Sequence, residues 1–402
     1  MGAVGDAGGA DPEGAAAADV VQAETWEAAG LYDPASPNAA ERYALLLYLS
    51  ERGATVAQLV EAHASGTMPG VAGDLVTQSR SPSVPVSEIA SASDMSLPLV
   101  LRALLAAGIP AEAHTEVPAE LAGILDAFVA GAAVMGDEAI LAFTRVLGAA
   151  ANNVAEAAVA LFFAELGPGS VREGPDELAR ARLAEAATRA FTTVPDVFGR
   201  MLLYAFERAQ LRAQAARPWQ DAGSDLGSGP DVAEGPTELV ALGFVDLVGS
   251  TAWAQSLSLR DQNLALTRFE SAAWSSAVLA GGRVVKMIGD EVFFAAPSAD
   301  VACRIALEVC AAVAADHLLP PARGAVGVGP ATPREGDYFG PLVNLLARLV
   351  KVGGPGEVVA TEAAAGDLDP DRWSLTGRAP ASLRGIDDPV RVFHVEHRVP
   401  GQ

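Results

Sequence analysis

The segment Gly282-Arg-Val-Val-Lys-Met-Ile-Gly-Asp-Glu-Val-Phe-Phe294 predicts a β-hairpin, and the rest of the fold can be built outward from it. Two apolar runs, Arg283–Ile288 and Val292–Ala296, flank a short turn in which glycine supplies the required backbone angles. Lys286 interrupts the first run, although the chain has only two lysines and otherwise uses arginine. A lysine kept here favours a site that needs a compact ammonium group, and a solvated strand-edge lysine is the alternative.

Strand-like and helical segments alternate around this hairpin. Further strands are predicted at Leu239–Asp246, Gly324–Val328, Glu357–Ala360 and Val390–Val395, and helices at Asp261–Ala280, Ala299–Ala315 and Leu342–Val352. The order strand, helix, hairpin, helix, strand is that of an α+β, ferredoxin-like βαββαβ core with additions. We assign this domain to residues 238–398.

The segment before it is helical by pattern. Helical spacing recurs at Ala39–Glu51, Thr55–His63, Leu97–Ala107, Pro118–Ala133, Asp137–Leu166 and Asp176–Ala215, which predicts an all-α domain over residues 20–215. Residues 1–19 are rich in Gly, Ala and Asp and are expected to be disordered. Residues 216–237 carry many Gly, Pro and acidic residues and are expected to be a linker.

Composition excludes several classes of function. The 402 residues carry a formal net charge of −23, so a surface for nucleic acid or anionic membrane is not expected. Apolar runs such as Leu121–Val134 are too short and too charged to span a bilayer. The N-terminus has no secretory signal pattern, and Cys303 and Cys310 have the spacing of one helix face, so we expect a cytoplasmic protein without a disulfide.

Two aspartates are candidates for cation binding. Asp246 ends an apolar strand and precedes Leu247-Val-Gly-Ser-Thr251, a turn that leads into a helix. Asp290 lies in the hairpin turn. Each has an ordinary interpretation, a helix cap for Asp246 and a turn former for Asp290. If the hairpin lies beside the first strand, the two carboxylates meet, and Mg²⁺ held by few protein ligands plus phosphates would relieve their repulsion.

A third segment, Gly336-Asp-Tyr-Phe-Gly-Pro-Leu-Val-Asn-Leu-Leu-Ala-Arg348, places polar groups on an apolar helix. Gly340 and Pro341 mark the helix start, so Asp337 precedes it. Asn344 and Arg348 are four residues apart and therefore share one helical face. A solvated face is the ordinary alternative, which suits the arginine better than an asparagine among leucines.

Together, the three segments resemble the class III nucleotidyl cyclase homology domain. Phe244-Val-Asp-Leu-Val-Gly-Ser-Thr251 is similar to the first metal motif, Lys286-Met-Ile-Gly-Asp290 to the second motif, and Gly336-Asp-Tyr-Phe-Gly with Asn344 and Arg348 to the third. All six positions that the family uses are filled. The resemblance covers roughly residues 238–396.

The resemblance implies a role for each residue. Asp246 and Asp290, with the carbonyl of Leu247, would bind two Mg²⁺ or Mn²⁺ ions per active site. Lys286 and Asp337 would bind the purine, Asn344 would orient the ribose and Arg348 would stabilise the transferring phosphate. A lysine donor and an aspartate acceptor suit adenine, so the implied substrate is ATP. In this family, one site takes residues from two subunits, which implies a homodimer.

The helical segment resembles, more loosely, the regulatory domain of mycobacterial-type pH-responsive cyclases. The resemblance implies an autoinhibitory role, with the helix around Arg200–Ala215 and the linker as the candidate switch. His63 and His114 could titrate near neutral pH, although exposed histidines without a role are the simpler explanation. Val86–Leu105 also has a helix-turn-helix pattern, but it carries too little positive charge to bind DNA and is interpreted as packing.

Two other functions stay open from the sequence. A catalytically silent nucleotide sensor would share the fold, although the complete set of six residues argues against it. A diguanylate cyclase, or a cyclase for another nucleotide, is the second alternative, because the hairpin contains Gly289-Asp-Glu291. The fuller diguanylate signature requires a preceding Gly-Gly and a following Phe, whereas Ile288 and Val292 flank the motif here.

Overall fold

The computed structural model describes residues 21–78, 81–93, 95–166, 176–223, 237–386 and 388–398. The predicted disorder of residues 1–19 and most of the predicted linker therefore lie outside the described residues. The chain divides into two compact units, Met1–Leu203 and Tyr204–Gln402. Each unit has its own apolar core.

The first unit consists mainly of helices. They are α1 (21–28), α2 (Ala39–Glu51), α3 (Val56–Ser65), α4 (Val71–Thr77), α5 (Val86–Ala92), α6 (Leu97–Ala106), α7 (Ala122–Met135), α8 (Asp137–Leu166) and α9 (Glu177–Phe191), followed by α10 (Val194–Gly223), which begins in this unit. One core packs α5, α6, α7 and the start of α8, and another packs α1 to α4 against α9.

Two expectations for this region are wrong in detail. It is not all-α, because β1 (Ser83–Pro85) and β2 (Glu116–Pro118) pair antiparallel. Strands of three residues that end in proline are too short to produce a period-two signal. The predicted helix Asp176–Ala215 is two helices. Helix α9 ends at Phe191, and α10 begins at Val194 with a proline in its first turn. Helix α10 then continues to Gly223, into the segment that the sequence assigns to the linker.

The second unit is built on one mixed sheet. Its strands are β3 (Glu238–Leu247), β4 (Arg283–Ile288), β5 (Glu291–Ala296), β6 (Ala322–Arg334), β7 (Asp337–Phe339), β8 (Val358–Thr361), β9 (Trp373–Gly377) and β10 (Val392–His397). The order across the sheet is β4-β5-β3-β6-β8-β10-β9, and β7 pairs with β6. The strand β3 is central and antiparallel to both β5 and β6. The predicted succession of strand, helix, hairpin, helix and strand is present, and β7 and β9 are additions that the sequence did not indicate.

Helices cover both faces of this sheet. They are α11 (Ser250–Gln255), α12 (Leu259–Leu279), α13 (Ala299–Ala315), α14 (Pro341–Leu349) and α15 (Glu362–Gly366). Long helices α12 and α13 pack on one face, and α14 packs on the other. A stacked pair of rings, Phe244 on Phe293 at 4.5 Å between centroids, lies on the α14 face. Both cysteines are buried in α13, and burial raises the pKa of each thiol to about 12, so they pack as apolar residues.

Candidate active site

Asp246 lies near the end of the central strand, and alternation along that strand decides where it points. Leu242 and Phe244 belong to the core on the α14 face, so Asp246, two residues further, points to the same face. Its partners in register are Glu291 on β5 and Arg323 on β6. Asp246 is only 3% exposed. A carboxylate buried to this extent needs cationic partners.

Two cations neutralise Asp246. Arg323 donates from Nε and Nη2 to Oδ2, at 3.0 and 2.9 Å. Lys351 forms an ion pair with Oδ1, and its Nζ also lies 3.0 Å from Oε2 of Glu291. The sequence interpretation gave none of these three residues a role in the site. The rarity of lysine was an available signal for Lys351, whereas only strand register brings Arg323 and Glu291 to Asp246.

The charges of this cluster shift two pKa values. Burial raises the pKa of Glu291, and the neighbouring charges of Asp246 and Asp290 act in the same direction, against the hydrogen bond and charge of Lys351. Burial by itself would lower the pKa of Lys351, but its hydrogen bonds to Asp246 and Glu291 outweigh burial and raise it. Lys351 is therefore a permanent cation at neutral pH.

The donor groups fit a hard divalent ion. The backbone N–H of Leu247 donates to the carbonyl of Asp290 at 3.2 Å, so the β4–β5 turn lies directly against the end of β3. The carboxylates of Asp246 and Asp290 thus belong to one end of the sheet, and Mg²⁺ and Mn²⁺ bind such oxygens. Among the described residues, no group of three or more His, Cys, Asp or Glu side chains could hold a metal ion. Mg²⁺ is usually bound by one or two carboxylates, with substrate phosphates and water as its other ligands.

A β-bulge decides the direction of Lys286. Val284 pairs with Phe294 while Lys286 pairs with Phe293, so β4 contains one extra residue at this point. Lys286 consequently shares the face of Phe293, and its Nζ lies 5.8 Å from the centroid of that ring. Strict alternation would have turned this ammonium toward the face that α12 and α13 cover.

Lys286 forms an ion pair with Asp337. Asp337 directly follows the turn between β6 and β7. In this turn, Glu335 and Gly336 both have positive φ, 54° and 82°. The backbone N–H of Tyr338 donates to Oδ1 of Asp337 at 2.8 Å, which fixes the carboxylate. The two residues predicted to bind the purine therefore lie side by side in one chain, and their role stays a prediction.

Asn344 and Arg348 lie on the exposed face of α14. The helix buries Leu342, Leu346 and Leu349 on its other side. Arg348 donates from Nη1 to the backbone carbonyl of Asn344 at 3.4 Å. Both side chains are exposed and therefore available to a ligand or a second subunit.

The first unit contains the two histidines considered above. Nδ1 of His63 lies 2.7 Å from Nη2 of Arg42, and Nη1 of the same arginine donates to Oε2 of Glu177 at 2.8 Å. His114 is exposed.

Glu185 is a buried carboxylate in the same unit. Burial alone would raise its pKa, but hydrogen bonds from Tyr48, Arg52 and Arg189 outweigh burial and lower it to about 2. Its stabilising effect is therefore complete above the usual glutamate range and is lost only as the pH falls toward 2. Glu185 cannot sense a change between pH 5 and 8.

The helices of the described residues can be compared with a membrane span only through their own length and apolar character. No single helix there has both the length and the apolar character needed to cross a bilayer, and one bent pair, α5 with α6, meets those two criteria only when both helices are joined.

Comparison with curated proteins finds relatives along nearly the whole chain, although no family model matches. Uncharacterized protein Rv2212 of Mycobacterium tuberculosis (strain ATCC 25618 / H37Rv) is 31% identical over 380 residues, which is 94% of this chain and 95% of the relative. An adenylate cyclase of Glutamicibacter nicotianae is 34% identical over 221 residues, 53% of each protein. The pH-sensitive adenylate cyclase MT1302 of Mycobacterium tuberculosis (strain CDC 1551 / Oshkosh) is 32% identical over 162 residues, 39% of this chain and 40% of the relative.

Solved structures of cyclase domains also align with the chain. The adenylyl cyclase CyaB from P. aeruginosa covers 42% of this chain and 98% of its own, at 18% identity and a TM-score of 0.38. The guanylate cyclase domain of RhGC from Catenaria anguillulae, in complex with GTP, covers 41% and 100%, at 18% identity and a TM-score of 0.38. Three observations agree: the three motifs, the relative that matches along almost its whole length, and the relatives named as cyclases. The chain therefore belongs to the class III nucleotidyl cyclase family.

Proposed function

We propose that this protein is an adenylate cyclase that converts ATP to 3′,5′-cyclic AMP and pyrophosphate. The observation that supports ATP over GTP is the side-by-side placement of Lys286 and Asp337. Adenine has a ring nitrogen that accepts and an amino group that donates, which matches one ammonium and one carboxylate. Guanine presents a carbonyl where adenine has its amino group and a ring N–H where adenine has its accepting nitrogen, so in the same orientation donor would face donor and acceptor would face acceptor.

In the proposed reaction the ribose 3′-hydroxyl attacks the α-phosphorus, and pyrophosphate leaves. Asn344 orients the ribose, so that the hydroxyl is in line with the leaving group. Arg348 donates to the phosphoryl oxygens, where negative charge develops in the transition state. These two side chains are four residues apart on one exposed helical face, as a shared ligand would require.

Asp246, Asp290 and the carbonyl of Leu247 would hold two divalent ions. When bound, Mg²⁺ or Mn²⁺ lowers the pKa of the attacking hydroxyl and neutralises charge on the triphosphate. Arg323 orients the carboxylate of Asp246 through two hydrogen bonds to Oδ2. A backbone hydrogen bond from Leu247 to Asp290 joins the two segments that carry these aspartates.

The proposal is tested by incubating the full-length protein with Mn²⁺ and either ATP or GTP. We expect cyclic AMP from ATP and much less cyclic GMP from GTP. Asp290→Asn should lower activity by at least about a hundredfold, while Asp371→Asn, an exposed acid outside the site, should leave it unchanged. Absence of any cyclic nucleotide from a folded protein that binds ATP would instead support a silent nucleotide sensor.

The proposal includes control of the catalytic unit by the N-terminal unit. One relative is named a pH-sensitive adenylate cyclase. Comparing cyclase activity of the full chain and of residues 235–402 between pH 5.5 and 7.5 tests this control. An equal pH dependence of both proteins would show that the N-terminal unit is not the sensor.

A further inference from the structure

Lys351, the second of the two lysines, has no part in the six-residue signature. It lies in a 3₁₀ turn, Val350–Val352, that directly follows the helix bearing Asn344 and Arg348. Its ammonium bridges two carboxylates, Oδ1 of Asp246 and Oε2 of Glu291. A cation thus already occupies one oxygen of the aspartate proposed to bind metal.

The two cations on Asp246 are not equivalent. Arg323 takes Oδ2 through two nitrogens, and its Nη1 also donates to the backbone carbonyls of Lys351 and Gly353, at 3.1 and 3.5 Å. The side chain of Arg323 is 18% exposed, and all three of its guanidinium nitrogens donate hydrogen bonds. Lys351 is 49% exposed and makes one contact to each of its two carboxylates. Its flexible stem lets the charge move away from Oδ1, whereas the fork of Arg323 cannot leave without breaking several hydrogen bonds.

We propose that Lys351 is a positioning residue that competes with the divalent cation for Oδ1 of Asp246 and thereby sets the metal affinity. Glu291 is the second partner that keeps the ammonium nearby when the metal takes Oδ1. The competition follows from charge, since an ammonium and a divalent ion repel each other across one carboxylate oxygen. The inference rests on the metal site of the proposed function.

The test measures Mn²⁺ binding to the full-length protein without nucleotide, by electron paramagnetic resonance of free Mn²⁺. We expect Lys351→Met to lower the Kd for Mn²⁺ about tenfold, because it removes the competing charge. Arg391→Met is the matched control, since it removes an exposed cation paired with Glu362 and should leave the Kd within about twofold. Lys351→Arg keeps the charge and should bind Mn²⁺ no more tightly than the original protein does.

Thermal unfolding gives a second readout. In EDTA, Lys351→Met should have a lower Tm than the original protein, because Arg323 is then the one cation left on Asp246. Addition of Mn²⁺ should raise the Tm of Lys351→Met by more than it raises the Tm of the original protein. If the methionine variant does not fold, Lys351→Gln tests the same direction with a polar side chain. An unchanged or higher Kd in a folded Lys351 variant overturns the inference alone. Failure of the original protein to bind Mn²⁺ at all, or binding that survives Asp246→Asn, overturns the metal site and the inference together.

Discussion

At the scale of single residues, Lys286 shows how one unusual side chain is accommodated. It interrupts an apolar strand, yet it is neither buried nor unpaired, because the bulge turns it toward Phe293 and Asp337. The ion pair is partly exposed, so it contributes at most about 1 kcal/mol to folding. Its placement therefore contributes little to stability, which agrees with the proposed role of Lys286 in ligand binding.

Exchanging this pair should alter substrate use without unfolding the protein. In Lys286→Glu with Asp337→Cys, we expect kcat/KM for ATP to fall by about a hundredfold, because adenine loses both of its matched partners. The matched control is Arg268→Glu with Asp316→Cys, which alters another exposed ion pair, 3.1 Å apart, in the same way. Steady-state kinetics with ATP and GTP and a thermal melt check both variants. A double variant that still prefers ATP would remove purine recognition from this pair.

At the scale of elements, the central strand depends on one glycine. Gly243 on β3 pairs in register with Phe294 on β5, and a Cβ built on it would lie 2.2 Å from the tip of that ring. The ring therefore fills the space that a side chain on β3 would occupy. Gly243 is three residues before Asp246 on the same strand. Packing in the core and placement of the site are therefore linked.

Gly243→Ala should consequently destabilise the second unit. We expect a loss of about 1–3 kcal/mol in the free energy of unfolding, because the ring and both strands must shift. Gly329→Ala is the matched control on the neighbouring strand, where the nearest atom would lie at an ordinary 3.6 Å, and it should cost less than about 0.5 kcal/mol. Urea denaturation, followed by a signal of the second unit, distinguishes the two. Equal stability of both variants would contradict the close packing.

At the scale of the whole molecule, the exposed face of α14 suggests how a complete site forms. Asn344 and Arg348 point away from the core that holds their own helix, whereas Asp246 is buried at the end of the sheet. In the homodimer that the family resemblance implies, the proposed metal-binding residues of one subunit and the proposed ribose- and phosphate-binding residues of the other would form one site. Two equivalent sites then follow from two-fold symmetry.

Mixing two inactive variants tests this arrangement. Asp246→Ala and Arg348→Ala each damage both sites of their homodimers, but a heterodimer contains one intact site. Random exchange should therefore restore roughly a quarter of the original activity. Activity is measured after subunit exchange, with heterodimers confirmed by differently tagged chains. No recovery in confirmed heterodimers would show that each site lies within one chain.

Much of the fold follows from periodicity. The helices Ala39–Glu51, Asp137–Leu166 and Ala299–Ala315 and the strand Arg283–Ile288 match the sequence prediction residue for residue, because their apolar spacing continues to both ends. The two short strands of the N-terminal unit and the break before α10 did not match. In such short segments, local turns and tertiary packing decide the structure, and no periodic signal is available.

The sequence by itself determined the three motifs, the family and the order of strands and helices around the hairpin, because these depend on residue type and on spacing along the chain. Only the tertiary structure decided which side chains surround Asp246. Arg323, Glu291 and Lys351 lie 45 to 105 residues away along the chain and reach it through strand register and the turn after α14. The sequence also did not indicate the bulge that directs Lys286. One extra residue turns the following side chains to the opposite face of the sheet without changing the composition of the strand.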